Sequence, residues 1–337
     1  MVWWLIAAGA LASAGVREVR AVEQPTLRWL HTPREVAVGQ RWTAALELSP
    51  PAASRPFDPD EVVLDALIRA PDASVVRMPV AWVEPYQVRP PQPPRFRREW
   101  MEPAGEPHWQ VRWQSSVEGL HLVQVVGRLG NGTAVTSPPC EVTVTPGSAM
   151  PRLRVSRRDA RFFELDDGRP WFAIGQNLCF IGPMQKVTVG RVGTVIGHLA
   201  RHGVNYLRIW TGCDDWAIAL EPGRGGAGPS PERWPVHEGT VSRRGMGEIN
   251  QPDAAMLDRV VEAAEAAGVY LQICLLARDR YMRRLRDPAS SEYAAAIRDA
   301  QRLFRYAVAR WGASPAVAGG AMYLRTFGHL YKIAAPK

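Results

Sequence analysis

The chain has 337 residues, enough for two domains, and its 46% hydrophobic content with 13 Trp is typical of folded proteins and excludes a disordered chain. The formal net charge of +8 would suit an anionic partner, but the basic residues are scattered and form no cluster suited to a phosphate backbone. The composition therefore argues against nucleic acid as a partner.

The N-terminus is an apolar segment that ends in small residues. It resembles a secretory signal with cleavage after Ala12 or Ala14, although no Lys or Arg precedes the apolar run. A misassigned start or a buried strand is the alternative. No other segment reaches the roughly 18 uncharged apolar residues of a membrane span. We expect residues 1–21 to be a signal peptide and leader of a secreted or periplasmic bacterial protein that does not span a membrane.

Residues 22–150 show short apolar runs separated by Pro, Gly and Asp. In His108–Trp113 the two Trp and one Val alternate with polar residues, which places them on one face of a strand. Several such strands without helical periodicity predict an antiparallel, immunoglobulin-like β-sandwich. The Pro-rich stretch Arg89–Pro107 is predicted to be a long loop, and Pro146–Pro151 a linker.

Residues 151–337 begin with a predicted hairpin around Asp166–Gly168 and then alternate apolar strands with amphipathic helices. Each helical stripe ends at a Gly, which favours a left-handed helix end, and the next strand follows at once: Gly203, Gly268 and Gly312. Strand–helix–strand repeats indicate a parallel sheet, either a barrel or a doubly wound sheet. The chain has no G-x-G-x-x-G and no Walker motif, which disfavours a dinucleotide-dependent oxidoreductase.

The polar residues at the predicted strand ends favour the barrel. Asn177 follows the first strand, Arg208 and Trp210 close the second, and Arg278 and Asp279 follow the third. Barrel enzymes build their sites at these carboxyl ends.

Four segments resemble the clan-A glycoside hydrolases, the cellulase- and mannanase-like barrels: Gly175–Phe180, His202–Trp210, Leu257–Gly268 and Leu303–Pro315. The resemblance covers about residues 60–319, and the sandwich resembles a domain of unassigned function that often precedes such barrels. It implies that residues 151–337 are an incomplete (β/α)8 TIM barrel of about four strands. The implied partner is a polysaccharide or oligosaccharide, with β-linked sugars and hydrolysis as the parent reaction.

The same resemblance implies two catalytic Glu, one after an Asn at the end of strand four and one at the end of strand seven. Leu324 and Arg325 stand at the first of these places, and strand seven is absent from the sequence. Two of the three Lys, Lys332 and Lys337, fall in the last residues. A changed reading frame near Gly319 accounts for both features, and a divergent tail is the alternative. We therefore assign no catalytic residue and expect an inactive chain.

The predicted substrate-binding residues are Asn177, Arg208, Trp210 and Trp216. The guanidinium of Arg208 could hold a carboxylate in two hydrogen bonds, or form a salt bridge on the barrel rim. Asn177 could bind a sugar hydroxyl or cap a helix. Each Trp could stack on a sugar or pack in the core.

The remaining acidic and sulfur-containing side chains give no metal or cofactor signal. Asp214 and Asp215 are expected in a solvated loop, and Asp279 in a rim ion pair. The four Cys lie far apart with no zinc-site spacing, so we expect free thiols and neither a metal nor a cofactor.

Two further hypotheses concern partners. The sandwich could be a non-catalytic module that binds a glycan or a protein, with the barrel as a remnant. The open edges of a partial barrel could also lead to self-association.

Overall fold

The computed structural model describes residues 24–50, 55–94, 99–182, 185–212, 217–221, 249–276, 281–317, 322–325 and 330–333. Within these ranges no helix is both long enough and apolar enough to cross a membrane.

Two β-sheets form the N-terminal part of the chain. The first contains Thr26–His31 (β1), Arg41–Ser49 (β3), Ala81–Val83 (β6) and His108–Gln114 (β9) in the spatial order β1-β3-β9-β6. The second contains Glu35–Ala37 (β2), Val62–Arg69 (β4), Val75–Pro79 (β5), Gly119–Leu129 (β10), Ala134–Thr136 (β11) and Cys140–Thr145 (β12). Its order is β2-β12-β10-β4-β5, and β11 also pairs with β10.

Alternating burial joins the two sheets into the predicted sandwich. Along β3 every second residue is buried, and Trp42 is only 1% exposed. The Trp42 ring contacts Trp29 and Trp113 edge-to-face, with centroids 6.4 and 6.3 Å away, and its Nε1 donates to Pro33 O at 2.8 Å. A satisfied indole N–H lets this large side chain be buried at little polar cost.

Two details of the sandwich differ from the expectation. β2 pairs with β12 in parallel, because the chain crosses to the edge of the second sheet between His31 and Glu35 and runs alongside β12. The stretch predicted to be a loop contains a strand, Trp100–Pro103 (β8), which pairs with Tyr86–Arg89 (β7). The buried side chains of Trp100 and Met101 explain why this part is ordered as a strand.

The second part of the chain begins with a small antiparallel sheet. It consists of Leu153–Val155 (β13), Phe163–Leu165 (β14) and Pro170–Trp171 (β15), and the predicted Asp-Gly turn joins its last two strands with Gly168 at φ +88°. Three parallel strands follow in the order β16-β17-β18: Gly175–Asn177 (β16), Tyr206–Trp210 (β17) and Tyr270–Cys274 (β18). The α-helices of the described ranges are Val192–Arg201 (α1), Gln251–Ala267 (α2) and Ser291–Trp311 (α3).

The glycines at the helix ends behave in two ways. Gly203 and Gly268 have φ of +85° and +67°, the left-handed conformation predicted for them. Gly312 was expected to do the same but is right-handed, with φ −65°, and its N–H donates to Val308 O. A Cβ at this position would lie 2.6 Å from Val308 O, so close packing rather than backbone handedness requires this Gly.

The described strands of the parallel sheet do not close into a barrel. At the position of a fourth strand, Val317 forms a bridge with Leu271, and the Leu271 N–H donates to Ala316 O at 2.7 Å. The described residues therefore show three parallel strands and one bridge, where the sequence predicts about four strands. Further along the chain, Met322–Arg325 (β19) pairs antiparallel with Leu330–Ile333 (β20) and not with the parallel sheet.

The sandwich and the α/β part share a buried ionic contact. Asp258 of α2 accepts from Arg112 of β9 at 2.8 Å, from Arg310 of α3 at 2.9 Å and from the indole N–H of Trp311 at 2.7 Å. Arg112 and Arg310 are 7% and 2% exposed. The carboxylate thus ties one strand of the sandwich to two helices.

A shared apolar core lies beside this ion cluster. Val83 and Met101 of the first part pack in one cluster with Leu257 and Val260 of α2. The helices that pack against the first part of the chain are therefore α2, which contacts β7, and α3, which contacts β5, β6 and β9.

Candidate functional site

No helix of the described ranges packs on one face of the parallel sheet. In β17, Leu207 and Ile209 are fully buried beneath the helices, whereas Tyr206, Arg208 and Trp210 point to the other side and are half-buried. This alternation follows from the two-residue period of a strand.

The strand register brings polar side chains together on that side. Asn177, Arg208 and Gln272 lie opposite one another across β16, β17 and β18, and Trp210 lies opposite Cys274 nearer the carboxyl ends. We call this side the open face; its residues are Asn177, Tyr206, Arg208, Trp210, Gln272 and Cys274.

The small β13–β15 sheet covers the amino-terminal end of the open face. The Trp171 ring contacts Tyr206 and Tyr270 edge-to-face, with centroids 6.4 and 5.4 Å away. The Tyr270 hydroxyl donates to Pro151 O at 2.7 Å. Access to the open face is therefore concentrated at the carboxyl ends of the strands.

Arg208 lies at the centre of the open face. Its Nη1 donates to Asn177 Oδ1 at 3.3 Å, and its guanidinium carbon lies 5.2 Å from the centroid of the Trp210 ring. Among the described residues, no carboxylate lies within salt-bridge distance of Arg208. The rim salt bridge considered for Arg208 is not formed in this part of the molecule.

Asn177 lies inside β16, so the helix-cap alternative is wrong for the described helices. Its amide oxygen instead orients the Arg208 guanidinium. The structure therefore brings Asn177, Arg208 and Trp210 together, and their role in substrate binding stays a prediction.

Trp210 forms a partly exposed aromatic pair with Phe180. Their centroids are 5.9 Å apart in an edge-to-face arrangement, and Phe180 is 49% exposed. The indole Nε1 of Trp210 is buried and has no hydrogen-bond acceptor within the described ranges. Trp210 is therefore packed on one side and exposed on another, so it is neither a fully buried core residue nor a fully exposed surface for a sugar.

Burial favours the neutral form of the two thiols and the tyrosine hydroxyl around Arg208. It raises the pKa of the Cys274 thiol, against the opposing effect of Arg208, and it raises the pKa values of Cys179 and of the Tyr206 hydroxyl in the same way. At neutral pH these groups remain protonated, and the positive charge of Arg208 is not neutralised by them.

Several predicted residues lie outside the described ranges: Trp216, Asp214, Asp215 and Asp279. The interpretations of these four remain predictions.

Sequence reasoning missed Gln272, which faces the site from β18. The Tyr206 hydroxyl donates to Gln272 Oε1, so the two side chains bridge neighbouring strands. The signal was present in the sequence: Tyr206, Arg208 and Trp210 share one strand face, and Gln272 interrupts the apolar run Val269–Leu276.

Buried carboxylates near the carboxyl-terminal side hold the backbone and neighbouring side chains. Glu221 accepts from the Tyr281 hydroxyl at 2.8 Å, and Asp253 Oδ2 accepts from the Ala219 N–H at 2.6 Å. In the described part of the chain, no three His, Cys, Asp or Glu side chains come close enough together to hold a metal ion.

Comparison with known proteins gives a likeness in fold. No protein-family model matches the sequence, and a search of curated proteins finds no match either. A crystal structure of a candidate glycoside hydrolase from Bacteroides vulgatus is similar over 85% of this chain, with 14% identity and a TM-score of 0.52. The chain spans about half of that structure, 48% of its length.

Two further solved structures are similar at lower scores. A glycoside hydrolase family 5 protein from Bacteroides vulgatus has 14% identity and a TM-score of 0.30, over 49% of this chain and 31% of its own. A family 5 xyloglucanase from Bacteroides ovatus, in complex with a heptasaccharide, has 11% identity and a TM-score of 0.25, over 83% of this chain and 51% of its own.

Proposed function

We propose that this chain is a glycoside hydrolase-like protein that binds a polysaccharide segment on its open face. The cluster of Asn177, Arg208 and Trp210 at the carboxyl ends of the parallel strands carries the proposal. The carboxyl ends of barrel strands are where such enzymes hold their substrates. The likeness in fold to the Bacteroides vulgatus structure supports this choice of architecture.

The chemistry of the open face suits a sugar. The ring surfaces of Trp210 and Phe180 offer an apolar platform for the C–H face of a pyranose. Beside them, Arg208, Asn177 and Gln272 offer hydrogen-bonding groups for its substituents.

We propose binding without turnover. Glycoside hydrolysis requires two carboxyl groups, about 5–5.5 Å apart in the retaining mechanism. The described strand ends instead present an amide, a guanidinium, an indole and a thiol. We expect no release of aryl alcohol from aryl glycosides, and turnover abolished by changing Glu221 would show that the chain has a working acid.

The test of binding is isothermal titration of the full chain against a panel of β-linked polysaccharides and their oligomers. Trp210→Ala should weaken binding about tenfold or more, as expected for a central aromatic contact. Phe162→Ala is the matched control, because Phe162 is 54% exposed and lies outside the open face. Equal affinities for the wild type and Trp210→Ala would place the binding elsewhere.

The alternative is a binding site on the sandwich. Leu122 and Val75 flank Arg69 in one row of the second sheet, and Leu120 lies nearby; these three apolar side chains are 39%, 51% and 52% exposed. Aliphatic residues suit a protein partner better than a sugar. Binding of a polysaccharide that Leu120→Ser abolishes and Trp210→Ala leaves unchanged would favour this alternative.

We also propose self-association through the edge of the parallel sheet. β16 is its edge strand, and Phe172 and Ile174 just before it are 76% and 55% exposed. Light scattering after size exclusion should show a dimer that Ile174→Lys converts to a monomer. A wild-type monomer at all concentrations would contradict this.

We also propose secretion, with cleavage of the N-terminal signal after Ala12 or Ala14. N-terminal sequencing of the protein from a bacterial culture tests it. We expect mature protein outside the cytoplasm that begins after Ala12 or Ala14, and an intact Met1 would contradict it.

A further inference from the structure

Among the described residues, the open face holds a positive charge that no carboxylate pairs with. Of its described side chains only Arg208 is formally charged, and it contacts the amide of Asn177 and the ring of Trp210. Burial raises the pKa of the Cys274 thiol on the same face, so this thiol does not supply a counter-charge at neutral pH. A half-buried guanidinium in such a position attracts an anion more strongly than an exposed one.

Hydrogen-bond donors also outnumber acceptors on this face. The oxygen of Asn177 accepts from Arg208, and the oxygen of Gln272 accepts from Tyr206, which leaves the amide nitrogen of each to donate outward. The guanidinium has five N–H groups, and the hydrogen bond to Asn177 uses only one of them.

A ligand that matches this surface must bring acceptors and an apolar ring face together. A neutral sugar hydroxyl both donates and accepts, whereas a carboxylate only accepts and fits the guanidinium fork in two parallel hydrogen bonds. The ring of a sugar acid can pack on Phe180 and Trp210 while its carboxylate lies at Arg208.

We propose that the open face is selective for acidic sugars, namely uronate residues of a polysaccharide, with Arg208 binding the sugar carboxylate. This inference rests on the proposed function, because it specifies the ligand class of the same site.

The test compares two ligands that differ at one carbon. The probes are β-1,4-linked glucose oligomers and the same oligomers oxidised at C6 to β-1,4-linked glucuronate, titrated into the full chain at neutral pH. We expect the oxidised oligomer to bind about tenfold more tightly or better, the gain typical of a charge-assisted pair. Arg208→Gln removes the positive charge and should reduce the difference between the two oligomers to about twofold, and Arg208→Lys should retain part of the difference.

The outcomes separate the two proposals. If both oligomers bind equally well, the acidic preference is wrong and the proposed function stands; if neither the oligomers nor the wider panel bind, the proposed function fails as well. If the preference survives in Arg208→Gln, it comes from the overall charge of +8 and the assignment to Arg208 is wrong. Unfolding curves of the variants that match the wild type show that the site itself was tested.

Discussion

The sandwich and the α/β part differ in how the faces of their β-sheets are covered. In the sandwich each sheet covers the inner face of the other, so both inner faces are apolar and closed. In the α/β part the helices cover one face of the parallel sheet, and the small β13–β15 sheet covers only the amino-terminal end of the other. The remaining open face is polar, with a charged residue at its centre.

This difference shows where stability and binding are located. A Trp in the closed core of the sandwich is fixed by packing on all sides, whereas a Trp on the open face can be removed without opening a cavity. The α/β part gains its stability from the side that faces the sandwich, through the shared core and the cluster around Asp258. The following predictions test this contrast, beginning with the largest expected effect.

Trp42→Ala should destabilise the protein most. Trp42 is 1% exposed, and its removal creates a cavity and leaves the Pro33 carbonyl without its donor. We expect the free energy of unfolding to fall by about 3–5 kcal/mol in urea denaturation. A loss below about 1 kcal/mol would mean that the sandwich core is not closed as described.

Asp258→Ala should be nearly as damaging, because it leaves the buried guanidinium groups of Arg112 and Arg310 without a negative charge beside them. Removing one side of a buried ion pair typically costs about 3–5 kcal/mol. The control is Glu262→Ala on the same helix: this carboxylate is 46% exposed in its ion pairs with Arg259 and, at 4.0 Å, with Arg41, and should contribute less than about 1 kcal/mol. Similar losses in the two variants would show that the cluster does not hold the two parts together.

Acid should weaken the same contact. Burial alone would raise the pKa of Asp258, but the charges of Arg112 and Arg310 outweigh it and hold this pKa well below the usual value of 3.8. A depressed folded-state pKa stabilises the fold above the unfolded-state value and loses that contribution as pH falls, at up to about 1.4 kcal/mol per pH unit.

The measurement is urea denaturation of the wild type and Asp258→Asn between pH 7 and pH 3. Their difference in free energy of unfolding should be constant above about pH 5 and shrink by about 1 kcal/mol or more towards pH 3. Parallel curves over the whole range would contradict the depressed pKa.

Trp210→Ala should affect stability least. Trp210 is half-buried, and its contacts are Phe180 on one side and the Arg208 guanidinium on another. We expect a loss of about 1 kcal/mol or less, beside a clear loss of sugar binding. A loss as large as that of Trp42→Ala would mean that the open face is in fact a packed core.

Much of the architecture follows from local patterns in the sequence. The period-two alternation of His108–Trp113 and the Asp-Gly turn at Gly168 predict a strand and a hairpin, and both are present. The helical stripes before Gly203 and Gly268 likewise predict helices that end there. Such patterns suffice because each depends on residues close together in the chain.

The candidate site was predicted in part for the same reason. Asn177, Arg208 and Trp210 stand at predictable strand ends, and their meeting follows from parallel neighbours in register. Trp100–Pro103 was misread because its many neighbouring prolines indicate a loop, whereas burial of Trp100 and Met101 against the rest of the molecule makes it a strand.

Only the tertiary structure decided the partners of charged and polar groups. Asp258 pairs with two buried arginines from distant elements, whereas Glu262, one helical turn later, lies at the surface. The neighbouring sequence of the two residues does not predict this difference. Nor does the sequence show that Gln272 is held by Tyr206 or that Arg208 lacks a carboxylate among the described residues. Periodicity in the sequence determines which face of a helix or strand a residue occupies. The groups that lie opposite that face depend on long-range packing, because hydrogen bonds and ion pairs form between groups that the chain brings together only when it folds.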